Sequence, residues 1–158
     1  MRKILFECFN DETLCSVFNI SKNDMEHYNN LGKGKILERI QKRNNCTALI
    51  DNDKGTNNTY LFKSKLIEDI SENIKVFYES VNKNYIIVFY PHLEKIIESL
   101  VESNDSNKKI AEKLKIDCSS KSLHNIGMDK TKLSKLKNLL IALKSRCPEI
   151  SSLEKYLV

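Results

Sequence analysis

Three carboxylates in this sequence follow apolar runs, at positions where strands are expected to end. Glu7 ends the run KILFE, Asp51 follows the run CTALI, and Asp53 lies two residues further on. In an open parallel α/β sheet, ligands bind beyond the carboxyl ends of the strands. We therefore expect these side chains to converge, and carboxylates held close together call for a cation between them. Hard oxygen ligands of this kind favour Mg²⁺, Mn²⁺ or Ca²⁺ over zinc.

Turn formation alone would also account for these polar segments. An aspartate after a strand is a common turn residue, and the segment NDKG around Asp53 is good turn chemistry. The segment GKGK is followed by Ile36, so it lacks the Ser or Thr of a phosphate-binding loop. We interpret it as a turn before a helix. A weaker alternative is that Lys33 and Lys35 face a substrate phosphate near the N-terminus of that helix.

The elements that must position these residues alternate between strand and helix. The runs KILF, CTALI, IKVFY and YIIVFY have strand length and strand composition. Helical spacing follows the first run and the GKGK turn, and it returns after Pro91, which we place in the first turn of a helix. Asn10 or Asp11 is the expected N-cap of the first helix, and residues 60–70 are interpreted as weakly helical. The alternation predicts a mostly parallel sheet flanked by helices.

The composition and charge divide the chain unevenly. Its 158 residues favour one domain with a short extension. We predict an α/β domain over residues 1–103 and a helical cap over residues 104–158, with helices near 107–115, 130–145 and 149–157. Residues 1–107 carry 14 Lys/Arg and 16 Asp/Glu, whereas residues 108–158 carry 12 and 5. Such asymmetry suggests an anionic partner, although a solvated lysine-rich face accounts for it equally well.

One predicted C-terminal helix carries both an apolar and a basic pattern. Leucines at 133, 136, 140 and 143 form a stripe that must face the body or a partner, which turns the lysines outward. The candidates for contact with a phosphate backbone are Lys130, Lys132, Lys135 and Lys137. Binding of that kind is non-specific and weakens steeply with salt.

Several classes of protein are not indicated. No apolar run approaches the length of about 20 residues of a membrane span, and the N-terminus does not have the pattern of a signal peptide. The five cysteines contain no Cys-x-x-Cys pair, so we expect reduced thiols in a cytoplasmic protein and no zinc site. The three histidines are scattered, and each alone is more often a packing or surface residue than a ligand.

The motifs taken in order resemble those of Toprim domains. The segment ECFNDE beginning at Glu7 is similar to their opening motif, and ALIDNDKG, which contains Asp51 and Asp53, is similar to their second motif. The segment PHLE, which ends at Glu94, resembles a further acidic motif in the Toprim domains of overcoming-lysogenization-defect nucleases. The chain is also similar to small stand-alone Toprim-like proteins of bacteria. The family's glycine after the glutamate is Cys8 here.

This resemblance implies a Toprim-like, Rossmann-like fold and metal-dependent cleavage of nucleic-acid phosphodiesters. It makes Glu7 a general base or a metal ligand. Asp51, Asp53 and Glu94 become ligands of Mg²⁺ or Mn²⁺, with Glu94 in a second site. It also implies a partner, an AAA- or ABC-type ATPase, in phage defence.

Two alternatives differ in kind from a nuclease. A non-catalytic Toprim-like subunit that binds or regulates an ATPase is suggested by the small size, by Cys8 and by the apolar stripe. A response-regulator receiver also places an aspartate after its third strand. It expects its acidic residues directly after the first strand and a Lys-Pro after the last, whereas this chain has Tyr90-Pro91.

Overall fold

The computed structural model describes residues 2–29, 31–52 and 59–158. Its described residues form a six-stranded sheet with helices on both faces, in the strand order β2-β1-β3-β6-β5-β4. The strands are β1 (Lys3–Phe6), β2 (Met25–His27), β3 (Cys46–Asp51), β4 (Lys65–Ser71), β5 (Ile74–Glu79) and β6 (Asn84–Phe89).

The sheet has a parallel half and an antiparallel edge. Strands β2, β1, β3 and β6 are mutually parallel, while β5 and β4 run antiparallel to their neighbours. Because β1 and β3 are adjacent and parallel, their carboxyl ends meet at the same edge of the sheet. The prediction of a mostly parallel α/β sheet flanked by helices is confirmed.

The helices connect the strands and then continue as a C-terminal group. They are α1 (Phe9–Val17), α2 (Gly32–Ile40), α3 (Thr59–Lys63), α4 (Leu93–Glu102), α5 (Asp105–Leu114), α6 (Ser120–His124), α7 (Lys130–Arg146), α8 (Pro148–Ser151) and α9 (Glu154–Leu157). None of the helices within the described ranges is both long and apolar enough to cross a membrane.

Alternation along the central strands divides the core into two layers. Successive side chains of a strand point to opposite faces. Leu49 and Ile87 therefore pack in one cluster, while Ile50 and Val88 pack in the other. The second cluster lies against α2, and the first lies against the helices α1, α4 and α7.

The C-terminal helices complete one of these layers. The leucines of α7 at 136, 139, 140 and 143 are fully buried, and Leu133 is partly buried against the same cluster. The predicted apolar stripe is therefore confirmed, with Leu139 added to it. A further tie joins α9 to the centre of the sheet, because the Thr47 hydroxyl donates a 2.7 Å hydrogen bond to the Tyr156 carbonyl.

Three local predictions were wrong. The segment 60–70 is helical only to Lys63 and then forms strand β4. Helix α4 begins at Leu93, so Pro91 precedes the first turn, and His92 is the N-cap. Helix α1 is capped by Cys8, which places Asn10 and Asp11 inside its first turn.

Candidate functional site

A cleft of about 710 Å³ opens where β1 and β3 end. Helices α1, α4 and α6 complete its walls. Its lining residues are Glu7, Cys8, Phe9, Asn10, Asn29, Asp51, His92, Glu94, Ser120, Lys121, His124, Asn125 and Gly127. Three of the carboxylates predicted from the sequence are thus brought to one cavity: Glu7 directly after β1, Asp51 at the end of β3 and Glu94 in α4.

The segment after β1 fixes the backbone at Glu7. His27, the last residue of β2, places its Nε2 atom 2.8 Å from the Glu7 carbonyl oxygen, so the ring N–H donates to it. The ring packs edge-on against Phe9, with 4.5 Å between the ring centroids. His27 is therefore a packing residue that holds the end of β1, as a lone histidine most often is.

Asp51 meets the start of helix α4. The backbone N–H of Leu93 donates to Asp51 Oδ1 at 3.3 Å. The first N–H groups of a helix lack partners within the helix, and a negative charge near them is stabilised by the helix dipole. This contact orients the Asp51 carboxylate against α4, whose second residue is Glu94.

Glu94 is the most enclosed of the three carboxylates, with only 3% of its surface exposed. The Asn10 amide donates to Glu94 Oε1 at 2.7 Å. His92 Nδ1 lies 3.2 Å from Oε2, and His124 Nδ1 lies 4.0 Å from Oε1. The same His92 nitrogen lies 3.3 Å from the Lys95 N–H. It accepts from Lys95 when deprotonated and donates to Glu94 when it carries a proton.

Asn10 holds this side of the cleft together. Its Nδ2 donates to Glu94 and, at 3.0 Å, to the Leu123 carbonyl, so one side chain joins α1, α4 and α6. Its Oδ1 is buried and has no hydrogen-bond partner among the described residues. The sequence offered Asn10 only as a helix cap. No local signal reveals its role, because its partners lie 84 and 113 residues away.

Cys8 occupies the position where the Toprim pattern has glycine. Its φ is −127°, an extended conformation that any residue adopts, so the backbone here does not require glycine. Burial raises the pKa of the Cys8 thiol, and the negative charges of Asp11 and Glu94 raise it further. The thiol donates to Asp11 Oδ2 at 3.2 Å. Because the thiolate is the reactive form of cysteine, thiol nucleophilic chemistry is disfavoured at this site.

A fourth carboxyl group lies beneath the cleft. Asp11 is buried, and its Oδ2 also accepts the Cys8 N–H at 3.3 Å. Burial raises the pKa of Asp11 to about 7, and the negative charges of Glu94 and Glu7 act in the same direction. The wall around Cys8 therefore gains negative charge as the pH rises through neutrality.

The lysines predicted to contact phosphate fall in three places. Lys33 and Lys35 lie on α2 and do not line the cleft, and Lys35 pairs with Glu38 at 2.9 Å. Lys132 and Lys135 lie on α7 and line a second pocket. Lys130 and Lys137 are on the same helix and line neither pocket. Lys121, which no sequence motif singles out, is the lysine that the described structure brings to the cleft.

The donor set limits the kind of metal site that fits here. Across residues 2–29, 31–52 and 59–158, no three His, Cys, Asp or Glu side chains are grouped so as to hold a metal ion. Asp53 lies outside the described residues. Mg²⁺ is usually bound through one or two carboxylates together with water and substrate phosphates. Glu7, Asp51 and Glu94 therefore do not form a preformed cage, and a cation at this cleft would need water or a substrate phosphate among its ligands.

Comparisons with known proteins leave the chain without a family assignment. No family model, no curated protein and no solved structure matches it.

Proposed function

We propose that the chain is a Toprim-like protein that hydrolyses nucleic-acid phosphodiesters with Mg²⁺ or Mn²⁺. The observation that carries this proposal is the cleft lined by Glu7, Asp51 and Glu94, at the carboxyl edge of a parallel sheet. Lys121 and two histidines line the same cavity. Carboxylates that bind a hard cation, beside a lysine that attracts phosphate, suit a phosphodiester better than a neutral substrate.

The division of roles follows from the contacts. The bound cation would supply charge neutralisation on the phosphate and activation of a water. Asp51, oriented by the Leu93 N–H, and Glu94, held by Asn10, are the ligands. Glu7 is a further ligand or the group that takes a proton from the attacking water. Lys121 binds a phosphate oxygen, and His124 lies beside it, with its Nδ1 4.0 Å from Glu94 Oε1.

The test combines a binding measurement with a cleavage assay. Calorimetry measures Mn²⁺ affinity, and labelled single- and double-stranded DNA and RNA are assayed with Mn²⁺, with Mg²⁺ and with EDTA. Asp51→Asn keeps an oxygen acceptor for the Leu93 N–H but removes the charge. A metal is worth several kcal/mol in the transition state, and each 1.36 kcal/mol is tenfold in rate. We therefore expect cleavage to fall by at least about a hundredfold.

A matched control is Asp105→Asn, which removes an equivalent charge from an exposed position on α5. Its Mn²⁺ affinity and cleavage should equal those of the wild type. Equal cleavage by Asp51→Asn would reveal a contaminating nuclease. A wild-type protein with neither millimolar Mn²⁺ binding nor cleavage would refute the proposal.

A second candidate is a non-catalytic subunit that docks on an ATPase. Two features favour it. The described residues lack a three-ligand metal group, and apolar side chains are exposed around the edge strand, with Phe62 at 75% and Leu66 at 40%. Under this hypothesis, Glu7→Gln leaves copurification with the partner and the ATPase activity of the complex unchanged. Loss of either activity or assembly in Glu7→Gln would count against it.

A further inference from the structure

A second pocket, of about 330 Å³, opens on the other face of helix α6. We call it the lysine pocket. Its lining residues are Lys115, Ile116, Asp117, Ser122, Ile126, Lys132 and Lys135. The lining combines residues from the end of α5 with residues from the first turns of α7. Three of these residues are lysines and two are isoleucines.

Backbone geometry and one hydrogen bond assemble this pocket. Lys115 caps α5 in the left-handed conformation, with φ of 52°. Its carbonyl oxygen accepts from Lys135 Nζ at 3.1 Å, which ties the end of α5 to α7. Lys132 is only loosely paired, since its Nζ lies 3.9 Å from Asp129. Within residues 59–158, no carboxylate lies within ion-pair distance of the Lys115 ammonium group.

The single acidic side chain in the lining is already engaged. Asp117 accepts from the Ser122 hydroxyl at 2.6 Å and from the Ser119 N–H at 2.9 Å. These hydrogen bonds, that of Ser122 first, lower the pKa of Asp117. Its charge is directed to its own loop. The three lysines therefore leave the lining basic, although Lys135 Nζ donates to the Lys115 carbonyl and Lys132 Nζ lies near Asp129. The pocket is therefore suited to an anion.

Helix α6 is the wall between the two cavities. Lys121 and His124 line the acidic cleft, whereas Ser122 and, just after the helix, Ile126 line the lysine pocket. A polynucleotide strand that lies across this wall would place separate phosphates at the two cavities.

We propose that the lysine pocket binds a phosphate group of a polynucleotide, separate from the phosphodiester that lies in the cleft. The polynucleotide part of this inference rests on the proposed function, whereas the anion site rests on the pocket alone. Lysine binds phosphate as a point charge. A second phosphate contact across α6 makes the substrate a strand of several nucleotides and disfavours a mononucleotide.

The first experiment uses inorganic phosphate as the probe and amide NMR shifts as the readout. In the wild type, phosphate should shift the amides around Lys115, Asp117 and Lys132 with saturation. Two variants should lose that response. Lys132→Glu places an acid in the first turn of α7, where the helix dipole favours it. Lys115→Asn keeps a residue that tolerates the left-handed conformation.

The charge-matched control for these variants is Lys137→Glu. Lys137 is exposed on the same helix but lies outside the pocket, so its replacement should leave the phosphate response intact. Equal shifts in Lys132→Glu, Lys137→Glu and the wild type would show that phosphate is attracted diffusely by the basic surface. This result would contradict a specific phosphate site in the lysine pocket.

The second experiment identifies the source of the phosphate. Binding of a labelled 12-nucleotide single strand is measured against salt in EDTA, so that neither metal nor cleavage contributes. Each phosphate contact adds about 0.7 to the magnitude of the slope of log affinity against log salt. Lys132→Glu should reduce that magnitude by about 0.7, while Lys137→Glu changes it less. If phosphate binding depends on Lys132 but strand binding does not, the pocket takes free phosphate and the polynucleotide assignment is wrong.

These outcomes are separable from those of the proposed function. Asp51→Asn should keep the wild-type salt dependence in EDTA even though it loses cleavage. If the wild type does not cleave but its salt slope depends on Lys132, the lysine pocket is supported and the proposed nuclease function is wrong. If the wild type cleaves but its salt slope does not depend on Lys132, the nuclease function is supported and the lysine pocket is wrong.

Discussion

Two buried asparagines at opposite ends of the sheet are built in contrasting ways. Asn84, at the amino end of β6, accepts the Cys46 N–H through Oδ1 at 2.8 Å. Its Nδ2 donates to the carbonyls of Ile40 and Arg43, each at 2.8 Å. Asn10, at the carboxyl end, also donates twice, but its Oδ1 has no partner among the described residues and its main acceptor is a buried carboxylate.

The difference separates structural from functional polar networks. A buried polar group without a hydrogen bond costs free energy, so a network that serves only stability is expected to be complete. The Asn84 network meets that expectation and joins β6 to β3 and to the end of α2. The Asn10 network does not. It holds Glu94 in place at the cleft and leaves Asn10 Oδ1 unused. The buried Oδ1 of Asn107, outside the cleft lining, is also without a partner among the described residues, so what distinguishes Asn10 is its bond to a carboxylate of the cleft.

The largest stability effect should come from the complete network. Asn84→Ala leaves the Cys46 N–H and the Arg43 carbonyl without their side-chain partner, while the Ile40 carbonyl keeps the Arg43 N–H. Each unsatisfied group costs about 1–3 kcal/mol, so we expect the free energy of unfolding, measured by urea denaturation, to fall by about 2–6 kcal/mol. Any folded fraction should keep its Mn²⁺ affinity, because the cleft lies at the other end of the sheet.

The control for Asn84→Ala is Asn82→Ala, in the turn that precedes β6. The Asn82 side chain donates to the Gln41 carbonyl at 3.2 Å and also bonds Tyr60 at the edge of the network. The cost of this substitution should stay within about 0.5 kcal/mol, as for most surface substitutions. Similar costs for the two variants would contradict the structural role assigned to the Asn84 network.

A smaller stability effect with a larger functional one is expected at Asn10. Asn10→Ala removes a hydrogen bond to a charged group, worth about 1.5–3 kcal/mol, and frees Glu94 from α1. Urea denaturation should show this loss, while Mn²⁺ binding in the folded protein should weaken severalfold. Asn125→Ala, an exposed change in the same cleft, is the comparison. If Asn10→Ala destabilises as much as Asn84→Ala with unchanged Mn²⁺ affinity, the two networks serve the same purpose.

Those features of the site and fold that depend on local sequence pattern could be predicted from the sequence. Glu7 and Asp51 were identifiable because each ends a short apolar run, and parallel strands bring such ends to one edge. The apolar stripe of α7 was identifiable because leucines recur at helical spacing. These features need only neighbouring residues and the rules of chain connectivity.

The remaining features depend on contacts that local pattern does not encode. Asn10 bonds across 84 and 113 residues, and the approach of His124 to Glu94 depends on how α6 packs. Strand β4 was missed because it is an edge strand: Leu66 and Ile67 are both exposed, and the pairing register with β5 shifts between Leu66 and Glu68. Burial of one face, which produces the alternating pattern of a strand, is weak there.

Two aspartates on either side of α6 have pKa values shifted in opposite directions, so they should affect the pH dependence of stability differently. Asp11, under the cleft, has a pKa raised by burial to about 7, whereas Asp117, at the lysine pocket, has a pKa lowered by its bond from Ser122. A carboxyl with a raised folded-state pKa binds more protons in the folded state than in the unfolded one. Asp11 therefore lowers stability as the pH rises from about 4 to about 7, and Asp117 has the opposite sign at acidic pH.

Asp11→Asn isolates the first of these contributions. Urea midpoints from pH 5 to pH 8.5 should show the variant and the wild type diverging in favour of the variant up to about pH 7, and running parallel above it. The slope of the difference cannot exceed about 1.4 kcal/mol per pH unit for one proton. Asp117→Asn should instead match the wild type in its dependence above pH 5, because its shift acts at lower pH. A difference between Asp11→Asn and the wild type that is flat from pH 5 to pH 8.5 would mean that Asp11 is ionised throughout. The cleft wall would then carry a constant charge, and the pH contrast across α6 would disappear.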